Sequence, residues 1–244
     1  MNIIEVNDYQ HMSQQAAKYI IEKVRSFPNI HLGLATGATP IGTYEALIED
    51  HKHNRTSYKN IKTFNLDEYV GLSGENPNSY RYFMDDRLFN HIDINHANTH
   101  VPHGIAKDFA KECARYERLI EANGGIDLQI LGIGSNGHIG FNEPGTSFYS
   151  KTHIVNLSQS TIEANSRFFN TLADVPTQAI TMGIFTIMKS KEILLLVSGE
   201  SKSDALTTLL TSDVNESFPA SILKNHPNVT IIADKAALAA AVHQ

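Results

Sequence analysis

The feature that most restricts the fold is a set of short apolar runs that do not alternate with polar residues. Lys191 to Val197 contains Glu-Ile-Leu-Leu-Leu-Val, and Asp127 to Leu131 reads Asp-Leu-Gln-Ile-Leu. A strand with one wet face alternates apolar and polar positions, whereas a strand apolar throughout is buried on both faces, as in a parallel sheet covered by helices. Segments of helical periodicity fill the intervals between such runs. The pattern predicts an α/β protein with a mostly parallel, open, doubly wound sheet of Rossmann-like type and helices on both faces.

Individual elements follow from local signals. Ile3 to Val6 predicts a first strand, and Asp8 caps a helix in which Met12, Ala16, Tyr19, Ile20 and Val24 recur at helical spacing. Ile30 to Ala35 predicts a strand ending in Thr36-Gly-Ala-Thr-Pro40, with Pro40 suited to the first turn of the next helix. Ile61 to Leu66 predicts a strand with Asp67-Glu-Tyr at its C-terminal end, and helices are expected over Tyr80 to Phe89 and Ala106 to Ala122. Gly124 and Gly125 stop the latter. Further on, Thr152 to Leu157 reads as a strand, Ser158 to Phe169 as helical, and Ala179 to Gly183 as strand or turn. Ser198 to Lys202 opens a helix, Asn228 to Ala233 forms a last strand, and Ala236 to Val242 a closing helix. With 244 residues and no Pro/Gly/Ser-rich linker, one domain over 1–244 is expected, with a mobile lid near 153–180 whose polar, aromatic, irregular composition suits a cover.

Composition narrows the partners. A hydrophobic fraction of 41% with 19% charged residues is that of a globular protein, and no apolar run approaches the ~20 residues needed to span a bilayer. With no basic and apolar leader at the N-terminus, a cytoplasmic location away from membranes is expected. A net charge of −6 argues against a nucleic-acid surface. Cys113 is the single cysteine, which excludes an internal disulfide and a thiolate metal cluster; its helical context indicates a structural thiol.

In open sheets of this kind ligands bind outside the carboxyl ends of the strands. Four polar segments fall at such ends: Thr36 to Thr39, Asp67 to Tyr69, Gly134 to Glu143, and Ser198 to Lys202. The loop from Gly132 that holds the third carries four glycines in nine residues, Gly132, Gly134, Gly137 and Gly140. The first three spell GxGxxG, but His138 and Pro144 crowd the expected helix and no acidic residue follows about 20 positions on, so a dinucleotide is disfavoured. His138 stands out among twelve histidines because Asn136 and Glu143 flank it in a strand-end loop. Imidazole, with an ordinary pKa of about 6.5, suits proton shuttling. His91, His96, His100 and His103 lack the spacing of a metal site and read as solvated loop residues.

Asp67 and Glu68 admit three readings: helix cap, salt-bridge partner or general base. Thr36, Gly37, Ala38 and Thr39 offer backbone N–H groups and hydroxyls at a helix N-terminus, a common arrangement for an anion. Arg167 and Lys202 are candidates to complete a phosphate clamp, against the plain reading of each as a surface charge.

Thr36-Gly-Ala-Thr-Pro40, Phe64-Asn-Leu-Asp-Glu-Tyr-Val-Gly-Leu72, Gly132-Ile-Gly-Ser-Asn-Gly-His-Ile-Gly-Phe-Asn-Glu-Pro144 and Asn165-Ser-Arg-Phe-Phe169 together resemble the glucosamine-6-phosphate deaminase family, in order and over nearly the whole chain. The resemblance implies conversion of glucosamine 6-phosphate and water to fructose 6-phosphate and ammonia, with no cofactor or metal, by a monomer or small homo-oligomer. His138, supported by Asn136 and Glu143, would open the pyranose ring, and Asp67 would move a proton from C2 to C1. Gly37 to Thr39, Arg167 and Lys202 would hold the phosphate. Two enzymes or modules of similar architecture compete: 6-phosphogluconolactonase, which needs no base for a carbon-bound proton, and a sugar-phosphate-sensing regulatory domain, which would need a fused DNA-binding helix pair.

Two departures from the longer, allosteric members bear on regulation. Those members carry aspartate where this chain has Asn136, and basic residues where it has His153 and Val155; their C-terminus is also longer than one ending at Gln244. No activation by N-acetylglucosamine 6-phosphate is therefore expected. Rate against glucosamine 6-phosphate should be hyperbolic with and without that sugar, and a sigmoidal curve that it straightens would contradict the reading.

Overall fold

The computed structural model, which describes residues 1–240, sets the apolar runs side by side. In chain order the strands are β1 (Asn2–Val6), β2 (His31–Leu34), β3 (Lys62–Asn65), β4 (Asp67–Tyr69), β5 (Thr99–His100), β6 (Leu128–Leu131), β7 (His153–Asn156), β8 (Gln178–Thr181), β9 (Glu192–Val197) and β10 (Val229–Asp234). The α-helices are α1 (Tyr9–Ser26), α2 (Ile41–Asn54), α3 (Tyr80–Arg87), α4 (Phe109–Ala122), α5 (Gln159–Asn165), α6 (Ile184–Met188), α7 (Ser203–Thr211) and α8 (Lys235–Leu238). The main sheet runs β1-β10-β9-β6-β2-β3-β5, with every neighbouring pair parallel.

All six residues of β9 and all four of β6 are buried, as their composition requires, because helices cover both faces. Leu32, Leu34, Leu128, Ile130, Leu194 and Leu196 pack under α1, α2 and α3. On the other face Phe64, Leu131, Ile193, Leu195 and Ile231 meet α4, α6, α7 and α8. From β2 the chain steps outward through β3 and β5, and from β6 it steps the opposite way through β9 and β10. The loops that leave β2 and β6 therefore diverge, opening a crevice at the carboxyl ends of these two strands.

Asp67-Glu68-Tyr69, expected as the end of a strand, starts a second sheet, ordered β4-β8-β7 and antiparallel. Leu66 alone separates β3 from β4. Its N–H donates to the Leu34 carbonyl in the main sheet (3.0 Å), and its own carbonyl accepts from the Met182 N–H beside the small one (2.7 Å). The segments 152–157 and 179–183 are thereby settled as strands β7 and β8 by pairing with each other.

Other boundaries differ for local reasons. The helix expected from Ala106 begins at Phe109, because the Asp108 carboxylate accepts from the Lys111 N–H and caps it there. Pro40 lies just before α2, its carbonyl accepting from the Tyr44 N–H, and the helix from Tyr80 ends at Arg87. Ser198 to Lys202 passes through a 3-10 turn at Glu200–Lys202 before α7. The two-residue β5 and five-residue α6 are too short for periodicity to reveal. Of the expected closing helix, Lys235–Leu238 is helical, while residues 241 and 242 lie outside the described residues. No helix among the described residues is long and apolar enough to cross a membrane.

One buried hydroxyl ties α4 to the strand that leads to Asp67: Tyr116, fully buried, donates to the Asn65 carbonyl at 2.7 Å. Tyr116→Phe keeps the ring but leaves that oxygen without its donor. The expected loss is about 1–2 kcal/mol, read as a lower urea midpoint at unchanged slope.

Candidate active site

At the crevice lies a cavity of ≈ 330 Å³ whose walls include Thr36, Gly37, Thr39, Asp67, Asn136, His138, Arg167 and Lys202. The four polar strand ends identified in the sequence thus converge. Of the candidates, Ala38 and Glu143 stand behind the wall rather than in it. The Ala38 carbonyl accepts from the Tyr9 hydroxyl at 2.9 Å, and that hydroxyl in turn accepts from the Gly42 N–H, so α1 braces the turn after β2. Tyr44 braces it from α2 by donating to the Ala35 carbonyl. Gly37 adopts φ +92°, a left-handed conformation that exposes successive N–H groups at the start of α2.

Two cations, Arg167 and Lys202, line the cavity together. Burial, then the neighbouring Arg167 guanidinium, holds the Lys202 ammonium below its usual range. Arg167 itself lies over the Phe168 ring, 4.7 Å from its centroid. The loop that leads to Lys202 is clamped from β10: the Asp234 carboxylate accepts from the Ser198 hydroxyl (2.5 Å), the Gly199 N–H (3.1 Å) and the Ala237 N–H (2.8 Å). Arg167 is exposed and Lys202 half-buried, and two neighbouring cations on one wall favour an anion between them.

The loop after β6 carries a three-part relay. His138 Nδ1 is 2.8 Å from Asn136 Oδ1, and Asn136 Nδ2 donates to Glu143 Oε2 at 2.7 Å. An ionised carboxylate can only accept, so the amide must turn its NH₂ to Glu143 and its oxygen to His138. That assignment places the imidazole proton on Nδ1 and leaves Nε2 as the free base. Direct contact between Nδ1 and Glu143 Oε2 is 3.6 Å, too long for a hydrogen bond, so the link runs through Asn136. Burial alone would raise the Glu143 carboxyl; the facing imidazole, the Asn136 amide and the Thr161 hydroxyl overcome it and hold the group down at about 2. Gly134 makes the arrangement possible, since a Cβ there would lie 2.2 Å from the His138 ring.

Across the cavity stands Asp67, at the first position of β4 and 7% exposed. Burial pushes its carboxyl up to about 8, with a further contribution from Glu68. Successive residues of a strand face opposite ways. Glu68 accordingly turns to α3, where its carboxylate accepts from the backbone N–H groups of Tyr69, Tyr80 and Arg81. Burial still lifts Glu68 to about 7. Glu68 thus caps the start of α3, while Asp67, buried, is the member of the pair that lines the cavity.

Tyr80, Ser160, Thr161, Ala164 and Asn165 also line the wall and were not among the candidate site residues. For Tyr80 a signal existed, since Ser79 caps the helix that follows the Asp67 strand. Asn165 opens the Asn165-Ser-Arg-Phe-Phe169 motif, whereas Ser160, Thr161 and Ala164 carry no signal, because only the way α5 folds across the crevice brings them in.

With the geometry in hand, comparison with known proteins is direct. Residues 7–232 match the family described as glucosamine-6-phosphate isomerases/6-phosphogluconolactonase. The chain belongs to this family. A glucosamine-6-phosphate deaminase of Shouchella clausii (strain KSM-K16) is 59% identical over 237 residues, covering 97% of this chain and 96% of the relative. The solved structure of a monomeric glucosamine-6-phosphate deaminase superposes with a TM-score of 0.97 at 49% identity, covering 98% of this chain and 100% of that one. The 6-phosphogluconolactonase from Trypanosoma cruzi superposes at a TM-score of 0.79 with 20% identity, covering 97% and 95%, and shares the fold. Within the glucosamine-6-phosphate isomerase/6-phosphogluconolactonase family the two branches thus lie at very different distances from this chain.

Burial of Asp67 has a measurable thermodynamic sign. Its ordinary pKa is 3.8, and in the folded protein the carboxyl holds its proton up to about 8, so between these values the native state binds more protons than the unfolded chain. The contribution is fully present below pH 4 and is lost as pH rises through 8. Asp67→Asn removes this dependence. Its stability relative to the parent should climb from pH 4 to 8 and then level off, with a gain on the order of 1–3 kcal/mol at pH 9. Parallel urea melts at pH 5 and pH 9 check this, and an equal difference at both would contradict it.

Proposed function

We propose that the chain is a glucosamine-6-phosphate deaminase, converting glucosamine 6-phosphate and water to fructose 6-phosphate and ammonia in the cytoplasm, as a single catalytic domain. The observation that carries this reading is one cavity that joins a buried carboxylate, an imidazole with a defined tautomer and a pair of adjacent cations. It occurs in a chain 59% identical to a relative named for that activity.

Each group suits one step. Arg167, Lys202 and the N–H groups of Gly37 to Thr39 take the 6-phosphate. His138 Nε2 accepts the proton of the C1 hydroxyl and returns it to the ring oxygen, opening the pyranose; the Asn136–Glu143 relay supports the positive charge while the ring nitrogen carries it. Asp67 then removes the proton from C2 and gives it to C1, while a proton of the substrate's own amino group passes to the C1 oxygen; the double bond thus moves from C1–O to C2–N and leaves an imine that water hydrolyses to ketone and ammonia. These steps call only on the chain's own acids and bases. A carboxylate pushed up to about 8 is a strong enough base for a carbon-bound proton, provided it ionises first. Residues 153–180, which include α5 and Arg167, act in this reading as a mobile lid that brings one of the phosphate cations onto the substrate.

Lactone hydrolysis is the weaker reading. It would leave Asp67, buried on the cavity wall, without a task, and the likeness to 6-phosphogluconolactonases extends to the fold.

Incubation with glucosamine 6-phosphate should release ammonia and fructose 6-phosphate in equal amounts, and kcat/KM should rise with pH toward 8 as Asp67 ionises. Asp67→Asn should lower kcat by roughly a thousandfold or more, and Lys202→Met should raise KM by roughly tenfold with a smaller change in kcat. Hydrolysis of 6-phosphogluconolactone without ammonia release would overturn the assignment.

A further inference from the structure

Glu143 is held at both carboxylate oxygens by two separate segments, the loop after β6 and helix α5. Its Oε2 accepts from Asn136 in the loop after β6. Its Oε1 accepts from the Thr161 hydroxyl of α5 at 2.8 Å. Thr161 in turn accepts from the Ser158 hydroxyl at 2.8 Å, and Ser158 is the N-cap of α5, its side chain accepting from the Thr161 N–H. One continuous path therefore runs from the first turn of α5 through Thr161, Glu143 and Asn136 to His138 Nδ1.

We propose that Thr161 is a positioning residue that couples the seating of α5 over the cavity to the orientation of the ring-opening histidine. The argument is geometric. The terminal torsion of a glutamate is broad and two-fold, so a carboxylate held at one oxygen can still turn. Held at both oxygens, from opposite sides, it cannot. A fixed Glu143 fixes the Asn136 amide, which needs an acceptor for its NH₂ before its oxygen can be committed to the imidazole. When α5 lifts, the Thr161 hydroxyl leaves with it, Oε1 turns to water, and the last link loses its definition. Opening the lid and disordering His138 are then one event, and the histidine is set for proton transfer only with the cavity covered. A relay whose central carboxylate is half-buried and accepts two charge-assisted hydrogen bonds transmits such a constraint better than an exposed one, and Glu143 has a side-chain exposure of 16%.

The proposal rests on the deaminase reading for its catalytic consequence but not for its structural one, and the test separates the two. In the empty protein, nitrogen-15 spectra should show a His138 Nδ1–H protected from exchange with water. Thr161→Val, which keeps shape and removes the hydroxyl, should abolish that protection, and Thr161→Ser should retain it. In the deaminase assay Thr161→Val should lower kcat about tenfold and Thr161→Ser should stay within about twofold of the parent. Combined with Glu143→Gln, Thr161→Val should cause no further loss, since Thr161 acts only through that carboxylate. Multiplying losses in the double variant would mean that Thr161 works by touching substrate or by holding the helix, and would overturn the proposal. So would an unchanged Nδ1–H signal in Thr161→Val. A parent protein that releases no ammonia would sink the deaminase reading while the spectra still decide the coupling.

Discussion

Leu66 is the hinge on which the architecture turns. A single residue passes the chain from a parallel sheet to an antiparallel one, bonded by its N–H to the first and by its carbonyl to the second. No slack exists at such a junction. The position and direction of Asp67 are fixed by two hydrogen-bonded ladders at once, and a carboxylate on a loop of ordinary length would have no comparable constraint. The main sheet supplies the crevice and the small sheet supplies Asp67, so the burial of one acid beside another falls at their rigid junction.

The charges of the cavity are arranged in opposition. Lys202 and Arg167 repel each other on its wall, and Asp67, also on the wall, is opposed by Glu68 behind it. Each pair is unfavourable when the cavity is empty and is relieved by a ligand that brings an anion to the cations and a cationic or proton-accepting centre to the carboxylate. Glu143 behaves differently. Its donors stabilise it fully as a carboxylate, so it serves as a fixed charge and not as a proton carrier. The division of labour between acids follows from their surroundings: Asp67 can gain and lose a proton near neutrality, Glu143 cannot, and Glu68 spends its hydrogen-bonding capacity on the start of α3.

What could be read from the residues alone follows a physical boundary. β6 and β9 are legible because burial on both faces leaves an apolar signature within the segment itself. The four strand-end segments are legible because glycine, threonine and carboxylate clusters interrupt such runs. The second sheet is not, since β4 is three residues long and its partner β8 lies more than a hundred positions away, with nothing local to announce the pairing. The same holds inside the site. His138, Asn136 and Glu143 stand out as neighbours in sequence, but the order of the relay, with the amide in the middle, depends on side-chain orientation. Tyr9, 29 positions from Ala38, and Thr161, 18 from Glu143, reach their partners through the tertiary fold.

The burial of Asp67 also bears on where atoms end up. Only 7% of this residue meets solvent, and in the proposed reaction the substrate itself closes the remaining opening. A proton taken from C2 onto such a carboxyl has no water to trade with before C1 claims it. The hydrogen that leaves one carbon is then the hydrogen that arrives on the next, so an isotope placed at C2 travels with the sugar instead of washing out into the medium.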